Sequence, residues 1–307
     1  RANGAQARIY RPQRGWRLEP RLLRRLHRKI AVVDDGPAFV GGINIIDDYN
    51  PADGADSPPG PRFDFAVACD GPIVAAISLA TERLWWGMTA AALYPPAGPL
   101  PRLARQRRPP TIEGGVRAQL LLRDNFRNRR TIERAYLDAI GRAERDVTIA
   151  CAYFLPGRRF RAALVAAAAR GVRVRLLLQG RVEYAVQHRA QEALYGRLLA
   201  AGIEIHAYKP GFLHAKAAVV DGAWATVGSS NIDPFSLLLA REANLCVDDE
   251  DFAEQLRAAL DRAIDGPSTL VAPADYERRG WIRRALGWAA LAFVRLAVSV
   301  LARDGDY

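Results

Sequence analysis

The amino-acid sequence predicts an α/β protein made of two related lobes. Two observations lead there: a motif-bearing segment that occurs twice, and alternating helical and extended patterns ahead of its second copy. HRKIAVVDDGPAFVGGIN at His27–Asn44 aligns without a gap on HAKAAVVDGAWATVGSSN at His214–Asn231. Upstream, GAQARIYRP (Gly4–Pro12) resembles GIEIHAYKP (Gly202–Pro210), with an Arg-rich insertion between Pro12 and His27.

In chain order, periodicity predicts a helix over Arg130–Arg142, a strand over Asp146–Phe154 and a helix over Phe160–Ala169. A strand over Val172–Leu178, a helix over Gln191–Ala200 and a strand over Ile203–Tyr208 follow. Such alternation builds a sheet with helices on its faces. Nothing comparable precedes Gly4, so by the repeat's own logic roughly 85 residues of a complete first lobe are expected to be missing. With Arg at position 1, the chain reads as a fragment or a truncated product. Tyr94–Pro110 is rich in Pro and Arg and reads as a linker. The expected division is a first lobe over 1–93, a linker over 94–115, a second lobe over 116–265 and a terminal segment over 266–307.

Composition is that of a globular protein, with half the residues apolar and a net charge of +11. That charge favours an anionic partner without choosing among lipid head groups, nucleic acid and phosphorylated metabolites. Cys69, Cys151 and Cys246 are far apart and offer neither a disulfide framework nor zinc-ligand spacing. No signal peptide is evident, and no apolar run of about twenty residues that would span a bilayer. Of 44 basic residues only Lys29, Lys209 and Lys216 are lysines, and two of them sit in the repeated motif. A chain that otherwise uses Arg places a compact ammonium where a phosphate oxygen would be met.

The motif reads as strand, turn and returning strand. Side-chain alternation puts His27 with Lys29, and His214 with Lys216, on one face. Cleaving a phosphodiester takes a nucleophile, a proton donor for the leaving alcohol and cations for the non-bridging oxygens. Two His and two Lys supply all of these with no metal and no cofactor. The candidate catalytic set is His27, Lys29, Asp34, His214, Lys216 and Asp221; within it Asp34 and Asp221 have the opposite parity and read as residues that hold the hairpin. Asn44, Asn231 and Ser229 are candidates for binding or orienting the phosphate. Asp64 and Glu242 are candidates for fixing a histidine tautomer. His188 and His206 read as non-catalytic.

The doubled H-x-K-x4-D-x6-G-[GS]-x-N pattern resembles the phospholipase D superfamily, and the likeness covers essentially the whole chain. The block HAKAAVVDGAWATVGSSNIDPFSLLLAREANL is particularly similar to bacterial cardiolipin synthases, of the shorter type without N-terminal transmembrane helices. Asp64, standing where the second half has Glu242, departs from strict repetition. The resemblance implies duplicated αβαβα sandwich lobes around a pseudo-twofold axis, with one active site between them. It also implies a two-step phosphatidyl transfer through a phosphohistidine, with phosphatidylglycerol as donor and acceptor. The alternatives are a phospholipase D that uses water, a nuclease of the same superfamily, and an inactive lipid-binding module. No nucleic-acid partner is expected.

The stretch Arg278–Arg303 reads as a helix with Arg284 and Arg295 on one face and Leu286, Phe293 and Val300 opposite. With Trp281 and Trp288, these arginines are the candidate membrane contacts. The expectation is peripheral attachment to the cytoplasmic face of the bacterial inner membrane; packing of this helix on its own domain is the competing reading. Trp85 and Trp86 read as a further contact or as core.

Overall fold

The computed structural model describes residues 5–10, 25–34, 36–49, 60–91, 114–125, 127–278 and 280–302. The upstream repeat beyond Tyr10 and most of the expected linker lie outside them. The first half contributes β1 (Lys29–Val32), β2 (Ala38–Gly41), β3 (Ala66–Cys69) and α1 (Ile73–Ala91). The second contributes β4 (Arg117–Arg123), α2 (Thr131–Arg142), β5 (Asp146–Cys151), α3 (Arg158–Ala169), β6 (Arg173–Gln179), α4 (Ala185–Leu199) and β7 (Glu204–Tyr208). There follow β8 (Lys216–Val220), β9 (Trp224–Gly228), a π-helical turn (Phe235–Leu239), β10 (Glu242–Asp248) and α5 (Glu250–Asp265). The chain closes with β11 (Ser268–Leu270), α6 (Pro273–Glu277) and α7 (Trp281–Ala302).

A mixed eight-stranded sheet runs β11-β7-β6-β5-β8-β9-β10-β4, and a smaller antiparallel sheet runs β1-β2-β3. β5 and β6 pair in parallel at the centre and are buried along nearly their whole length, which is why they read as continuous apolar runs rather than alternations. One apolar cluster joins Ile132, Tyr136, Phe160, Leu164 and Leu198 of α2, α3 and α4 to Ile149, Leu176 and Ile205 of the sheet. A second packs Leu256, Leu260 and Ile264 of α5 against Leu177, Ala217 and Val219. The helix α5 starts where Asp249 accepts the N–H of Phe252, with Glu250 and Asp251 in the first turn where the helix dipole favours them. Val74 and Ile77 of α1 join Ala38 and Val40 to Ala243, Leu245 and Val247, so the two halves share one core.

Helix α4 begins six residues before the expected Gln191, because Tyr184 precedes a full turn that sequence periodicity leaves weak. β11 pairs with β7 and carries the second lobe's sheet past its expected end at residue 265. The apolar helix α1 was not expected at all; Arg8 lays its guanidinium over the Trp85 ring there, 3.8 Å from the centroid.

The helix α7 packs on its own domain, through Leu291, Val294 and Val298 against Leu155, Ala190 and Leu194. A Cβ at Gly287 would lie 3.2 Å from the carbonyl oxygen of Arg189, so glycine permits the close approach to α4. At about 100° per residue, the far side of α7 carries Leu286, Phe293 and Leu296, and one flank carries Trp281 and Trp288. All five are exposed, Trp281 at 78% and Phe293 at 65%. Among the described residues, no helix is long and apolar enough to cross a membrane.

Candidate active site

Both motif histidines stand just before their strands, where the two halves cross. The N–H of His27 donates to the carbonyl of Arg241, and the N–H of His214 to that of Phe63, both at 2.9 Å. Parallel bridges Leu26–Arg241 and Phe63–Leu213 flank these bonds. Within each half, Gly42 N–H donates to Phe65 and Ser229 N–H to Ala243, again at 2.9 Å. Asp64, between Phe63 and Phe65, and Glu242, between Arg241 and Ala243, therefore occupy equivalent places on a local twofold.

That placement crosses the carboxylates over. Nδ1 of His214 lies 2.6 Å from Asp64 of the first half. Nδ1 of His27 lies 3.1 Å from both carboxylate oxygens of Glu242, and 3.1 Å from the carbonyl oxygen of Ser229. A carboxylate accepting from Nδ1–H holds the proton there and leaves Nε2 as the reactive nitrogen. The lysines repeat the symmetry. Nζ of Lys29 donates to the carbonyl of His27 at 2.8 Å, and Nζ of Lys216 to that of His214.

The halves differ where Asp64 meets Glu242. Glu242 is fully buried, and Ser229 Oγ donates to it at 2.5 Å while accepting from Ala243 N–H at 3.0 Å. The first half has Gly42 at the position of Ser229. A Cβ there would lie 2.7 Å from Oδ2 of Asp64, so the shorter acid fills the space a serine would need. Ser229 thus sits behind Glu242 and holds it, rather than facing the site as a phosphate ligand.

Burial dominates the electrostatics. It pushes His214 down to about 4, with Lys216 adding to the effect and Asp64 opposing it, so this imidazole is neutral at neutral pH. Burial also lowers Lys29 to about 8, against the pull of Glu242 and with the push of Lys216. Lys216, fully buried, is lowered for the same first reason. Two ammoniums close enough to repel each other, one buried and one half-buried, with their carboxylates already engaged, form a receptor that an anionic phosphodiester would complete.

The remaining predicted residues separate. Asn231 is buried and its side-chain oxygen accepts from Tyr153 N–H at 3.4 Å, leaving the amide nitrogen to donate; Asn44 is half-buried. Asp221 lies at the other end of β8. Its carboxylate accepts backbone N–H groups of Glu144, Arg145 and Asp146 at 2.8–2.9 Å, and its φ is 53°. Asp34, with φ 45°, occupies the matching turn and is exposed. The place of Asp221 in the candidate catalytic set gives way to the turn-holding reading, because a carboxylate spent on three backbone donors a strand's length away has no path to the phosphorus. Asp34 lies likewise beyond the far end of β1 from His27. His206 is enclosed with Glu204 and Ser268, and His188 lies beside Glu192 on α4.

Sequence reasoning gave no role to Asp233, though Asn-Ile-Asp-Pro was in view. It is buried, caps the π-helical turn through the N–H groups of Phe235 and Ser236, and is raised to about 6 by that burial. The Asp-Pro pair before an apolar run was the available signal. Arg123 was equally unforeseen: it is buried and donates to the carbonyls of Leu237 and Ala240, fixing the same turn. Among the described residues no group of His, Cys, Asp or Glu could hold a metal ion. A cavity of about 1830 Å³ opens between α1 and β4; it meets the motif only through Arg28, and no motif His or Lys lines it.

Comparison with known proteins finds relatives along most of the chain. Residues 136–264 match the family model described as "Cardiolipin synthase, PLD-like domain". Cardiolipin synthase B of Salmonella typhi is 37% identical over 287 residues, covering 91% of this chain and 65% of that protein. Cardiolipin synthase B of Escherichia coli (strain K12) is 35% identical over 304 residues, covering 96% of this chain and 69% of that one. The chain thus spans about two thirds of the length of these relatives. The crystal structure of phosphatidylserine synthase from Haemophilus influenzae Rd KW20 superposes with a TM-score of 0.66 over 92% of this chain and 71% of the other, at 13% identity, and so shares the fold. The chain belongs to the cardiolipin synthase family of phospholipase D-like proteins.

Proposed function

We propose that this chain carries the centre of a phosphatidyltransferase that converts two phosphatidylglycerols into cardiolipin and glycerol. The observation that carries the reading is the reciprocal bracing of the two histidines, His27 by Glu242 and His214 by Asp64, with Lys29 and Lys216 beside them. The shared family and the name of the relatives support it.

The chemistry balances without a further reactant. Nε2 of one imidazole attacks phosphorus; the P–O bond to the departing glycerol breaks and the other histidine, protonated, gives its proton to that oxygen. The same histidine then takes the proton of the acceptor hydroxyl, whose oxygen bonds to phosphorus as the P–N bond breaks. Lys29 and Lys216 neutralise the non-bridging oxygens throughout. Asn231 and Asn44 donate to the same oxygens.

Attachment to an anionic membrane surface completes the proposal. The exposed side of α7 combines Trp281, Trp288, Phe293 and Leu296 with Arg284 and Arg295 at its margin. Such a face buries apolar side chains at the head-group boundary while its arginines meet lipid phosphates. We place it on the cytoplasmic side of the bacterial inner membrane.

The test uses labelled phosphatidylglycerol in liposomes with the full chain. Cardiolipin with stoichiometric glycerol is expected, and a reaction quenched in alkali, where a P–N bond survives, should retain phosphorus label on histidine. Phosphatidic acid alone would make the protein a hydrolase. A His214→Ala protein with full turnover would remove the mechanism.

A further inference from the structure

Ligands of open α/β sheets bind beyond the carboxyl ends of the parallel strands. Here β5, β6 and β7 end at Cys151, Gln179 and Tyr208, and Cys151 pairs directly with Lys216. Two residues past Cys151 stands Tyr153, whose N–H meets the motif residue Asn231. Its hydroxyl donates to Glu183 in the loop after β6. Its ring lies 6.0 Å from that of Tyr184. Neither Tyr153 nor Glu183 takes part in the phosphorus chemistry described above.

In a chain with 44 basic residues against 33 acidic ones, several carboxylates away from the motif are bound to an arginine. Glu204 holds Arg173, Asp146 holds Arg257 and Glu192 holds Arg283. Glu183 differs from these carboxylates in having a phenol as its partner. Among the described residues no cation pairs with Glu183, and only one of its oxygens is engaged, by a neutral phenol. Burial and Glu183 both raise Tyr153, so the phenol keeps its proton and remains a donor.

We propose that Tyr153 and Glu183 form the subsite for the acceptor's head, a neutral polyol such as the glycerol of a second phosphatidylglycerol. The assignment rests on the phosphatidyl-transfer reading and deepens it. A half-buried carboxylate repels a second phosphate but accepts hydroxyl protons, while the phenol oxygen accepts another. An acceptor held there by one hydroxyl can present its neighbour to a phosphorus resting on Lys29 and Lys216. The lipid surface has a route to the subsite. The helix α7 runs antiparallel to α4, with Arg283 beside Glu192 and Gly287 beside Arg189, so its apolar outer side leads toward the start of α4 next to Glu183.

The test partitions the phosphatidyl group between acceptor and water. The full chain is given labelled phosphatidylglycerol in liposomes, and the cardiolipin-to-phosphatidic acid ratio is measured for the unmodified protein, Glu183→Gln and Tyr153→Phe. Glu183→Gln is expected to lower that ratio about tenfold, and to raise in proportion the free glycerol needed for half-maximal diversion to phosphatidylglycerol. Tyr153→Phe should lower it less, since only one donor is lost. An unchanged ratio overturns the subsite, as does a parallel fall of both products with a lowered thermal midpoint, which marks a structural brace. If added ethanolamine outcompetes glycerol in the unmodified protein and loses that advantage in Glu183→Gln, the subsite takes an ammonium alcohol and the polyol assignment is wrong. No transfer by the unmodified protein sinks the phosphatidyl-transfer reading itself.

Discussion

A buried ammonium near its titration point gives the site a pH signature. Lys29, lowered by burial to about 8 from 10.5, must be charged to receive a phosphate. At pH 9 about nine-tenths of it is neutral in the free protein, so kcat/KM should fall about tenfold from its plateau. A lysine at 10.5 would have lost only a few per cent of its charge there. A bound phosphodiester restores the charge, so the alkaline limb of kcat should lie above that of kcat/KM. Stability moves the other way. Between about 8 and 10.5 the unfolded chain binds the proton that native Lys29 has released, so unfolding becomes less favourable as pH rises through that window. Falling activity with steady or rising contribution to stability cannot be confused with alkaline unfolding. The assay is initial-rate transfer in phosphatidylglycerol liposomes from pH 6 to 10, with denaturant midpoints measured in parallel. A kcat/KM flat to pH 9.5 would refute the argument.

Other perturbations separate chemistry from scaffold. Asp64→Asn removes the charge that orients His214 and should lower kcat/KM by about 10- to 100-fold, matching about 1.5–3 kcal/mol for a charge-assisted hydrogen bond, with little change in the thermal midpoint. Asp221→Ala should do the reverse: three backbone donors lose their acceptor and a positive φ loses its preferred residue, for about 1–3 kcal/mol read by urea unfolding, while rates at low temperature persist. Gly42→Ser should displace Asp64 and cost more than tenfold in rate, and Gly42→Ser with Asp64→Glu should recover part of it by copying the arrangement around Ser229. On α7, Phe293→Glu with Leu296→Glu should abolish co-sedimentation with anionic liposomes at unchanged stability, whereas Leu291→Ala should cost about 2–4 kcal/mol.

What was legible in the sequence follows from where information is local. The gapless repeat exposed His27, Lys29, His214 and Lys216, because alternation along a strand is a two-residue rule. β5 and β6 were legible as apolar runs buried on both faces. The crossing of carboxylates was not, since which acid meets which histidine depends on two segments passing each other some 150 to 215 positions apart. Ser229 looked like a phosphate ligand because its neighbours are small; only the fold turns it inward onto Glu242. On α7 the wheel separated arginines from apolar residues but could not divide the apolar ones. Val294 and Val298 face α4, and Phe293 and Leu296 face outward, from one continuous pattern.

The crossed carboxylates bear on why duplication persists here. Were each histidine oriented by an acid of its own half, either lobe could hold a finished half-site, and the halves could drift in relative position. Instead Asp64 is set by Gly42 and Phe65 on one side and reaches His214 on the other, while Glu242 is set by Ser229 and reaches His27. The distance between the two imidazoles is thereby tied to strand pairing within both halves at once. The nucleophile and acid proposed here, addressing one phosphorus from opposite sides, need that distance held to fractions of an ångström. Cross-bracing makes the active site and the lobe interface the same structure: Asp64 holds His214 and Glu242 holds His27, each across the boundary between the halves.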